Sequence, residues 1–188
     1  ALPLAAMVGD KVLCLHGGIG PGLRFVGDID AMHRFREVPS AGAMCDLLWA
    51  DPQDDLDPGF VAPPVAAGAF VSRGGRAAAP RDASGTNRNK NTITTNSDAD
   101  YDASDFVPNE ARGCSVLFSY GALMRFLVDN ALLCVVRAHE AQAEGFCLHR
   151  HRPDAAFPAM ITLFSAPNYC DTYDNKGAIM IVAGVAAQ

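Results

Sequence analysis

The chain carries at residues 12–21 the stretch Val12-Leu13-Cys14-Leu15-His16-Gly17-Gly18-Ile19-Gly20-Pro21. Four apolar residues followed by a glycine-rich segment predict a buried strand that ends at His16. Glycines beside a histidine let the backbone approach a bound group closely, and layered α/β folds place their sites outside strand carboxyl ends. This stretch alone does not identify a metal site, because a histidine among apolar residues is more often a hydrogen-bonded core residue than a ligand.

Two further apolar runs end in polar residues. Residues 132–136 lead into Arg137 and His139, and residues 160–164 lead towards Asn168 and Tyr169. The two-residue period of an extended chain predicts that Arg137 and His139 lie on the same side. Polar groups that converge from rigid strands are what a metal or phosphate site requires, so these strand ends predict one shared site.

Five motifs in order resemble the successive signatures of the phosphoprotein phosphatase (PPP) family of dinuclear-metal serine/threonine phosphatases. They are His16-Gly17-Gly18, Asp46-Leu47-Leu48-Trp49-Ala50-Asp51-Pro52, Arg112-Gly113-Cys114-Ser115, Arg137-Ala138-His139-Glu140 and Phe164-Ser165-Ala166-Pro167-Asn168-Tyr169. The resemblance covers residues 12–52 and 106–184. Within the family it is strongest to the calcineurin branch, through residues 34–37, 112–120, 137–142 and 173–176.

The resemblance implies a fold and a catalytic centre. The fold is a mixed α/β metallophosphoesterase-type layered β-sandwich flanked by helices, whereas periodicity by itself predicts only a mixture of α and β. The centre is a pair of metal ions, iron with zinc or manganese, which suit imidazole and oxygen ligands. By resemblance, His16 and His139 are ligands of one of the two metals.

The same resemblance assigns three residues to the substrate. Arg112 and Arg137 match arginines that clamp the phosphate, for which a planar guanidinium offers paired donors, and Tyr169 matches a tyrosine that overhangs the site. The alternative for Arg137 is a salt bridge to Glu140 or Glu144. Supporting rather than metal-binding roles are expected for Asp46, Asp51 and Asn168.

The sequence departs from the family pattern in two places. The family usually has Leu-Ser-Pro after the two glycines, whereas residues 19–21 are Ile-Gly-Pro. The Ile-Gly-Pro sequence resembles the Kelch-repeat branch of the family. The motifs Gly-Asp-x-His-Gly, Gly-Asp-x-Val-Asp-Arg-Gly and Gly-Asn-His-Glu do not occur in the 188 residues. We therefore expect residues 1–188 to be the carboxyl-terminal part of a PPP catalytic domain, incomplete at its amino terminus and inactive or nearly so alone.

The expected activity of the intact protein is hydrolysis of phosphoserine and phosphothreonine in proteins. One alternative is a metallophosphoesterase that acts on small phosphoesters, which would share the histidines but not the motifs at residues 112–115 and 165–169. Another is a truncated or non-catalytic phosphatase-like module that acts only by binding. The retained site residues favour an enzyme, and the missing upstream motifs favour the module.

Composition limits which partners and which cellular compartment are expected for this protein. A net charge of −6 disfavours a nucleic-acid surface, and no apolar run approaches the ~20 residues of a membrane-spanning helix. Six cysteines without a CxxC spacing predict free thiols in a reducing, cytoplasmic compartment. Phosphoproteins are the expected substrates, and the resemblance adds a calcium-binding regulatory subunit and calmodulin as partners.

Local patterns predict further elements. Residues 53–105 change from Pro, Gly and Ala to polar residues without periodicity, which predicts a disordered low-complexity insertion. Ser119 is the expected N-cap of a helix that runs to residue 130, with an edge strand at 146–150 and a last buried strand at 178–182. Trp49 is expected to anchor the core, and His149 to lie in a solvated turn.

Overall fold

The described residues form two β-sheets and three α-helices, with two short 3-10 helices at Asp54–Leu56 and Tyr169–Asp171. The structure is a computed structural model that describes residues 2–56, 104–153 and 157–183. Its strands are β1 (Ala5–Val8), β2 (Val12–Leu15), β3 (Asp51–Pro52), β4 (Phe106–Pro108), β5 (Val116–Phe118), β6 (Cys134–Arg137), β7 (Phe146–Leu148) and β8 (Met160–Leu163). Its helices are α1 (Val26–Asp30), α2 (Ala43–Trp49) and α3 (Tyr120–Asp129). The expected mixed α/β fold is confirmed.

The larger sheet has five strands in the order β1-β2-β6-β8-β7. Its three central strands, β2, β6 and β8, run parallel, with Leu13 opposite Val135 and Val136 opposite Ile161. These are the three strands that the sequence predicts, and β7 is the expected edge strand. Because parallel strands end at the same edge, their polar continuations meet there.

The smaller sheet has the order β3-β5-β4. Strand β3 follows α2 directly and pairs in parallel with β5, with Asp51 opposite Leu117. Strands β4 and β5 form an antiparallel pair joined by residues 109–115. This pairing brings Asp51 beside the loop that carries Arg112.

The main core lies between one face of the larger sheet and helices α2 and α3. Leu13, Val135 and Met160 from the sheet pack with Leu47 of α2 and Phe126 of α3, and each is at most 1% exposed. Complete burial of one such side chain contributes about 1.5–3 kcal/mol. This core fixes the position of α2 relative to the parallel strand ends.

Helix α3 confirms its sequence prediction. Ser119 caps the helix, with its Oγ accepting a hydrogen bond from the Ala122 N–H at 3.0 Å. Leu123, Phe126 and Leu127, spaced at i, i+3 and i+4, are fully buried. At 10 residues, α3 is the longest helix among the described residues. No helix in this part of the chain is long and apolar enough to cross a bilayer.

The prediction of a buried strand at residues 178–182 is wrong. Residues 178–183 form no regular element, and Ile179 and Ile181 are 81% and 85% exposed. A strand requires a neighbour to bond its backbone groups, and no described strand pairs with this segment. Its apolar composition alone therefore does not make it a strand.

The two ends of the predicted insertion belong to the fold. Leu56 is fully buried, and Gln53 Nε2 donates a hydrogen bond to the Leu117 carbonyl at 3.2 Å. Asp105 is buried and accepts a hydrogen bond from Ser119 Oγ at 2.6 Å. Residues 57–103 of the predicted insertion lie outside the described residues.

His149 is also placed differently from the expectation. It is 8% exposed, with its Nε2 lying 2.8 Å from Thr162 Oγ1 and its Nδ1 lying 3.3 Å from the Leu56 carbonyl oxygen. The solvated-turn interpretation is wrong for this residue because the β7–β8 pairing turns its ring inward. His149 is a hydrogen-bonded structural histidine.

Candidate active site

Two histidines meet at the carboxyl edge of the parallel strands. His16 directly follows β2, and His139 lies two residues beyond β6. His16 Nε2 lies 3.1 Å from His139 Nδ1, and the ring centroids are 4.9 Å apart. The Ala138 N–H donates to the His16 carbonyl at 3.0 Å, which ties the two strand ends together. The structure thus brings together the two predicted metal ligands.

Arg137 and His139 do not share a side, contrary to the two-residue period. Strand β6 ends at Arg137, and His139 has a φ of +60°, in the left-handed region. Periodicity holds only while the chain remains extended. The turn directs His139 towards His16, whereas Arg137 is in the interior.

A cleft of about 720 Å³ opens over the histidine pair. The predicted residues Arg112 and Tyr169 line it together with His16 and His139. Further lining residues are Val38, Leu48, Trp49, Glu140, Ala141, Phe164 and Tyr173. Four of the five predicted site residues therefore border one space, and Arg137 does not.

Arg137 is buried, with no exposed surface. Its Nε donates to the Gly17 carbonyl at 2.8 Å, and its Nη2 donates to the Ala50 carbonyl at 3.1 Å and to Asp51 Oδ1 at 2.8 Å. Its Nη1 donates to Glu140 Oε2 at 2.5 Å. The structure does not support Arg137 as a phosphate ligand, because its three nitrogens are bonded within the protein. It supports the salt-bridge alternative, with Glu140.

Asp51 joins this buried arginine to the arginine in the cleft. Its Oδ2 accepts hydrogen bonds from Arg112 Nε at 2.8 Å and from Asn109 Nδ2 at 3.0 Å. Burial acts to raise the pKa of Asp51, but hydrogen bonds from Arg112, Asn109 and Arg137 outweigh it and lower that pKa. Asp51 is therefore ionised at neutral pH and supports Arg112, as the sequence interpretation expected of a supporting group.

Arg112 itself reaches the solvent. Its side chain is 30% exposed, and its terminal nitrogens bond to no described residue. The hydrogen bond to Asp51 raises the pKa of Arg112 further above its usual range. A permanently charged guanidinium, held at Nε and open at its Nη groups, can bind a tetrahedral dianion.

The loop that carries Arg112 is held at a second point. Ser115 Oγ donates to Asp46 Oδ1 at 2.8 Å, which links the loop to helix α2. Within the loop, the Arg112 and Gly113 N–H groups donate to the Asn109 carbonyl at 3.2 and 3.0 Å. Asp46 of α2 thus holds the loop at Ser115, and Asp51 of β3 holds it at Asn109 and Arg112.

Gly17 and Gly18 serve packing rather than approach to a ligand. A Cβ added at Gly17 would lie 2.6 Å from the backbone of Leu48 and Trp49, and one at Gly18 would lie 2.1 Å from the Phe118 ring. The Gly17 N–H donates to the Leu47 carbonyl at 2.8 Å. The glycines let the end of β2 press against α2, which positions His16.

Trp49 is a wall of the cleft instead of a core anchor. It is 39% exposed, and its ring meets the His139 ring edge-on at a centroid distance of 5.3 Å. The core-anchor interpretation is wrong because Trp49 ends α2, a helix of seven residues, too short for periodicity to identify its buried face. Sequence reasoning likewise missed Tyr173 and Val38, for which periodicity gave no signal.

The histidines are held in their neutral form. Burial and the positive charges of Arg137 and Arg112 lower the pKa of His16 below its usual range. Burial and the Arg112 charge lower the pKa of His139 to about 4. Neutral imidazole is the metal-binding form, and the neighbouring guanidinium groups favour an anion in the cleft.

The pair fits part of a metal site. His139 Nε2 is buried and has no hydrogen-bond partner in the described structure, while its Nδ1 and His16 Nε2 point at each other. Neutral imidazole nitrogens are suitable ligands for iron, zinc or manganese. In residues 2–56, 104–153 and 157–183, no third His, Cys, Asp or Glu joins them into a metal-binding group. The described residues therefore bring two candidate nitrogen donors together.

Comparisons with known proteins identify the family of this chain. Residues 1–143 match the family model described as calcineurin-like phosphoesterase. Two proteins of Saccharomyces cerevisiae, the serine/threonine-protein phosphatase 2B catalytic subunits A1 and A2, are 41% and 42% identical to it over 95% of the chain.

A solved structure is similar in fold as well. It is a protein serine/threonine phosphatase from Saccharomyces cerevisiae with similarity to human phosphatase PP5, with a TM-score of 0.57, 26% identity and 94% coverage of this chain. The chain spans 26% and 27% of the length of the two catalytic subunits and 38% of that structure. With its family model matched over residues 1–143 and its motifs gathered around one cleft, this chain belongs to the calcineurin-like phosphoesterase family.

Proposed function

We propose that the full-length protein containing this chain hydrolyses phosphoserine and phosphothreonine in protein substrates. The observation that carries the proposal is the meeting of His16 and His139 at 3.1 Å in a cleft that Arg112 also lines. The similarity to phosphatase 2B catalytic subunits supports a protein substrate.

Each residue of the cleft has a distinct task in this proposal. Arg112 binds the phosphate through its open Nη groups while Asp51 holds its Nε. Tyr169, 46% exposed, covers the phosphate from the loop after β8, and the Trp49 ring shields His139, which it meets edge-on at 5.3 Å. Arg137 contributes by fixing the Gly17, Asp51 and Glu140 segments that surround the site.

His16 and His139 would hold one metal of a dinuclear centre of iron with zinc or of manganese. When bound, such ions supply positive charge for the phosphate oxygens and an acidic water as nucleophile. The chain's own contribution is to present two neutral imidazoles where two parallel strands end. Ligands beyond these two are proposed to come from other parts of the full-length protein.

The test is an assay of the full-length protein with a phosphoserine peptide and added manganese. We expect hydrolysis that His139→Gln lowers by more than about a hundredfold, since loss of a ligand should exceed the typical effect of its supporting groups. The matched control is His33→Gln, an exposed histidine outside the cleft, which should retain full activity. Equal activity in both variants would disprove the role of His139.

The same assay separates the alternatives. Hydrolysis of p-nitrophenyl phosphate without hydrolysis of phosphopeptides would indicate an enzyme for small phosphoesters. Binding of a phosphopeptide without turnover of either substrate would indicate a non-catalytic module. Neither alternative is favoured by an observation in the described residues.

We further propose a cytoplasmic protein that works with a calcium-binding regulatory subunit and calmodulin. Support for the compartment is that the six cysteines are free thiols. Support for the partners is the similarity to proteins named as catalytic subunits. Calcium-dependent retention of the full-length protein on immobilised calmodulin, lost in EGTA, is the expected result.

A further inference from the structure

One buried amide stands out in the exposed segment after β8. From residue 165 to residue 183, all of which the structure describes, Asn175 is the only buried residue, at 6% exposure. A polar side chain is buried at a cost unless its hydrogen bonds are made inside the protein. The sequence flagged residues 173–176 as a motif but gave Asn175 no role.

The Asn175 amide is bonded at both ends. Its Nδ2 donates to the Ala166 carbonyl at 2.8 Å and to the Lys176 carbonyl at 2.9 Å. Its Oδ1 accepts from the Tyr169 N–H at 2.9 Å. The Asn175 carbonyl also accepts from the Asn168 N–H at 2.8 Å. One side chain therefore joins the start of the loop, its end and the backbone of Tyr169.

The loop needs this closure because its backbone is unfavourable by itself. Asn168, Cys170, Asp171 and Asp174 all have φ between +44° and +57°, a region that L residues adopt at a cost. Such conformations persist where surrounding contacts fix them. The buried Asn175 side chain supplies hydrogen bonds that fix the backbone of this exposed loop.

Tyr169 is the residue whose placement depends on that closure. Its N–H is bonded to Asn175, its ring packs edge-on against Phe164 at 5.2 Å, and it borders the cleft with His16 and His139. Its ring also lies 5.7 Å from that of Tyr173. Release of the Tyr169 N–H would remove the side-chain hydrogen bond that ties the Tyr169 backbone to a buried residue.

We propose that Asn175 is a positioning residue that holds Tyr169 over the phosphate site. The inference rests on the proposed phosphatase function, to which it adds a residue outside the cleft. Asn175 acts through Tyr169, because neither its side chain nor its backbone borders the cleft.

The chemistry of the amide suggests the variant. Asn175→Asp keeps the shape and the acceptor for the Tyr169 N–H but replaces the donor with an oxygen that faces the Ala166 and Lys176 carbonyls. Two favourable hydrogen bonds become two repulsive contacts. Asn175→Ala removes all three hydrogen bonds without adding charge and serves as the second variant.

The experiment is a double-mutant cycle in the full-length protein with manganese and a phosphoserine peptide. We expect Asn175→Asp to lower kcat/KM by about tenfold alone and by less than about twofold when Tyr169→Ala is already present. The loss should fall on the same parameter, kcat or KM, that Tyr169→Ala changes. Asn175→Ala should give the same coupling with Tyr169→Ala.

Thr172→Val is the matched control in the same loop. Thr172 is exposed, and the hydroxyl that the substitution removes donates to the Cys170 carbonyl at 2.9 Å. Its backbone N–H, which the substitution keeps, donates to the Tyr169 carbonyl at 3.3 Å. We expect its kcat/KM to stay within about twofold of the unaltered protein, as is usual for a surface change. Urea unfolding midpoints identify any variant whose loss is due to unfolding.

The outcomes separate this inference from the proposed function. Hydrolysis by the unaltered protein with additive effects of Asn175→Asp and Tyr169→Ala would overturn the positioning role alone. Additivity with Asn175→Ala would overturn it even if Asn175→Asp failed to fold. No hydrolysis by the unaltered protein would overturn both proposals.

Discussion

Asp51 accepts hydrogen bonds from Arg112 and from Arg137 at 2.8 Å each, one on each carboxylate oxygen. The cleft arginine and the buried arginine are thereby joined through a single ionised group. Asp51 is itself buried, so solvent does not screen these interactions as it screens surface pairs.

Asp51→Asn should weaken phosphate binding by Arg112. A hydrogen bond to a charged group is worth about 1.5–3 kcal/mol, so kcat/KM for a phosphopeptide should fall about tenfold to a hundredfold. Competitive inhibition by inorganic phosphate should weaken with it, because the same guanidinium binds the product. The control is Asp54→Asn, an exposed neighbour; equal effects of the two changes would contradict the prediction.

Arg137→Met should destabilise the fold. Removing the arginine leaves the buried Asp51 carboxylate without one of its cationic partners, and breaking a buried pair costs about 3–5 kcal/mol. Urea unfolding of the full-length protein measures the loss. Arg24→Met, which breaks an exposed pair with Asp129, should cost no more than about 1 kcal/mol. Similar values for both arginines would show that the buried network is not important for stability.

Gly18→Ala should also be destabilising, by overpacking. The new methyl group would lie 2.1 Å from the Phe118 ring, which is 1% exposed and cannot move into solvent. Overpacking of this kind costs about 1–3 kcal/mol. Gly27→Ala in α1, where nothing lies within 4 Å, should instead stabilise by about 0.5–1 kcal/mol. Thermal unfolding of both variants would reveal opposite shifts, and a shift of the same sign would refute the packing argument.

Asp46→Asn should make stability less sensitive to pH. Burial raises the pKa of Asp46 above its usual 3.8, although the hydrogen bond from Ser115 opposes this. The folded chain therefore holds this proton to a higher pH than the unfolded chain, so stability falls as pH rises through that window. The cost persists at every pH above that window.

Asparagine cannot ionise and still accepts the Ser115 hydrogen bond. Asp46→Asn should therefore exceed the unaltered protein in stability at pH 7, with the difference vanishing below about pH 3.8. Unfolding free energies measured at both ends of this range check the sign. Asp30→Asn, at an exposed position, is the control. A variant that is less stable at pH 7 would mean that the charge of Asp46 is needed.

The sequence by itself determined the three central strands and one edge strand of the larger sheet, one helix, and four of the residues that border the cleft. Apolar runs at residues 12–15, 132–136 and 160–164 predict strands because a buried strand must be apolar on both faces. Ser119 marks the start of α3 because its cap is formed within three residues. The five motifs were enough to identify the family resemblance, because each motif is defined by a short run of consecutive residues.

Tertiary structure decided which of those residues can reach a substrate. Arg137 and Trp49 exchange their expected places, the arginine buried against Asp51 and the tryptophan exposed at the cleft. The segment 178–183 is apolar but has no strand partner among the described residues. Asn175 is buried although it lies in a loop of mostly polar residues. Burial and pairing depend on segments distant in sequence. A local pattern specifies what a residue can do, and only the packed chain decides which neighbours it meets.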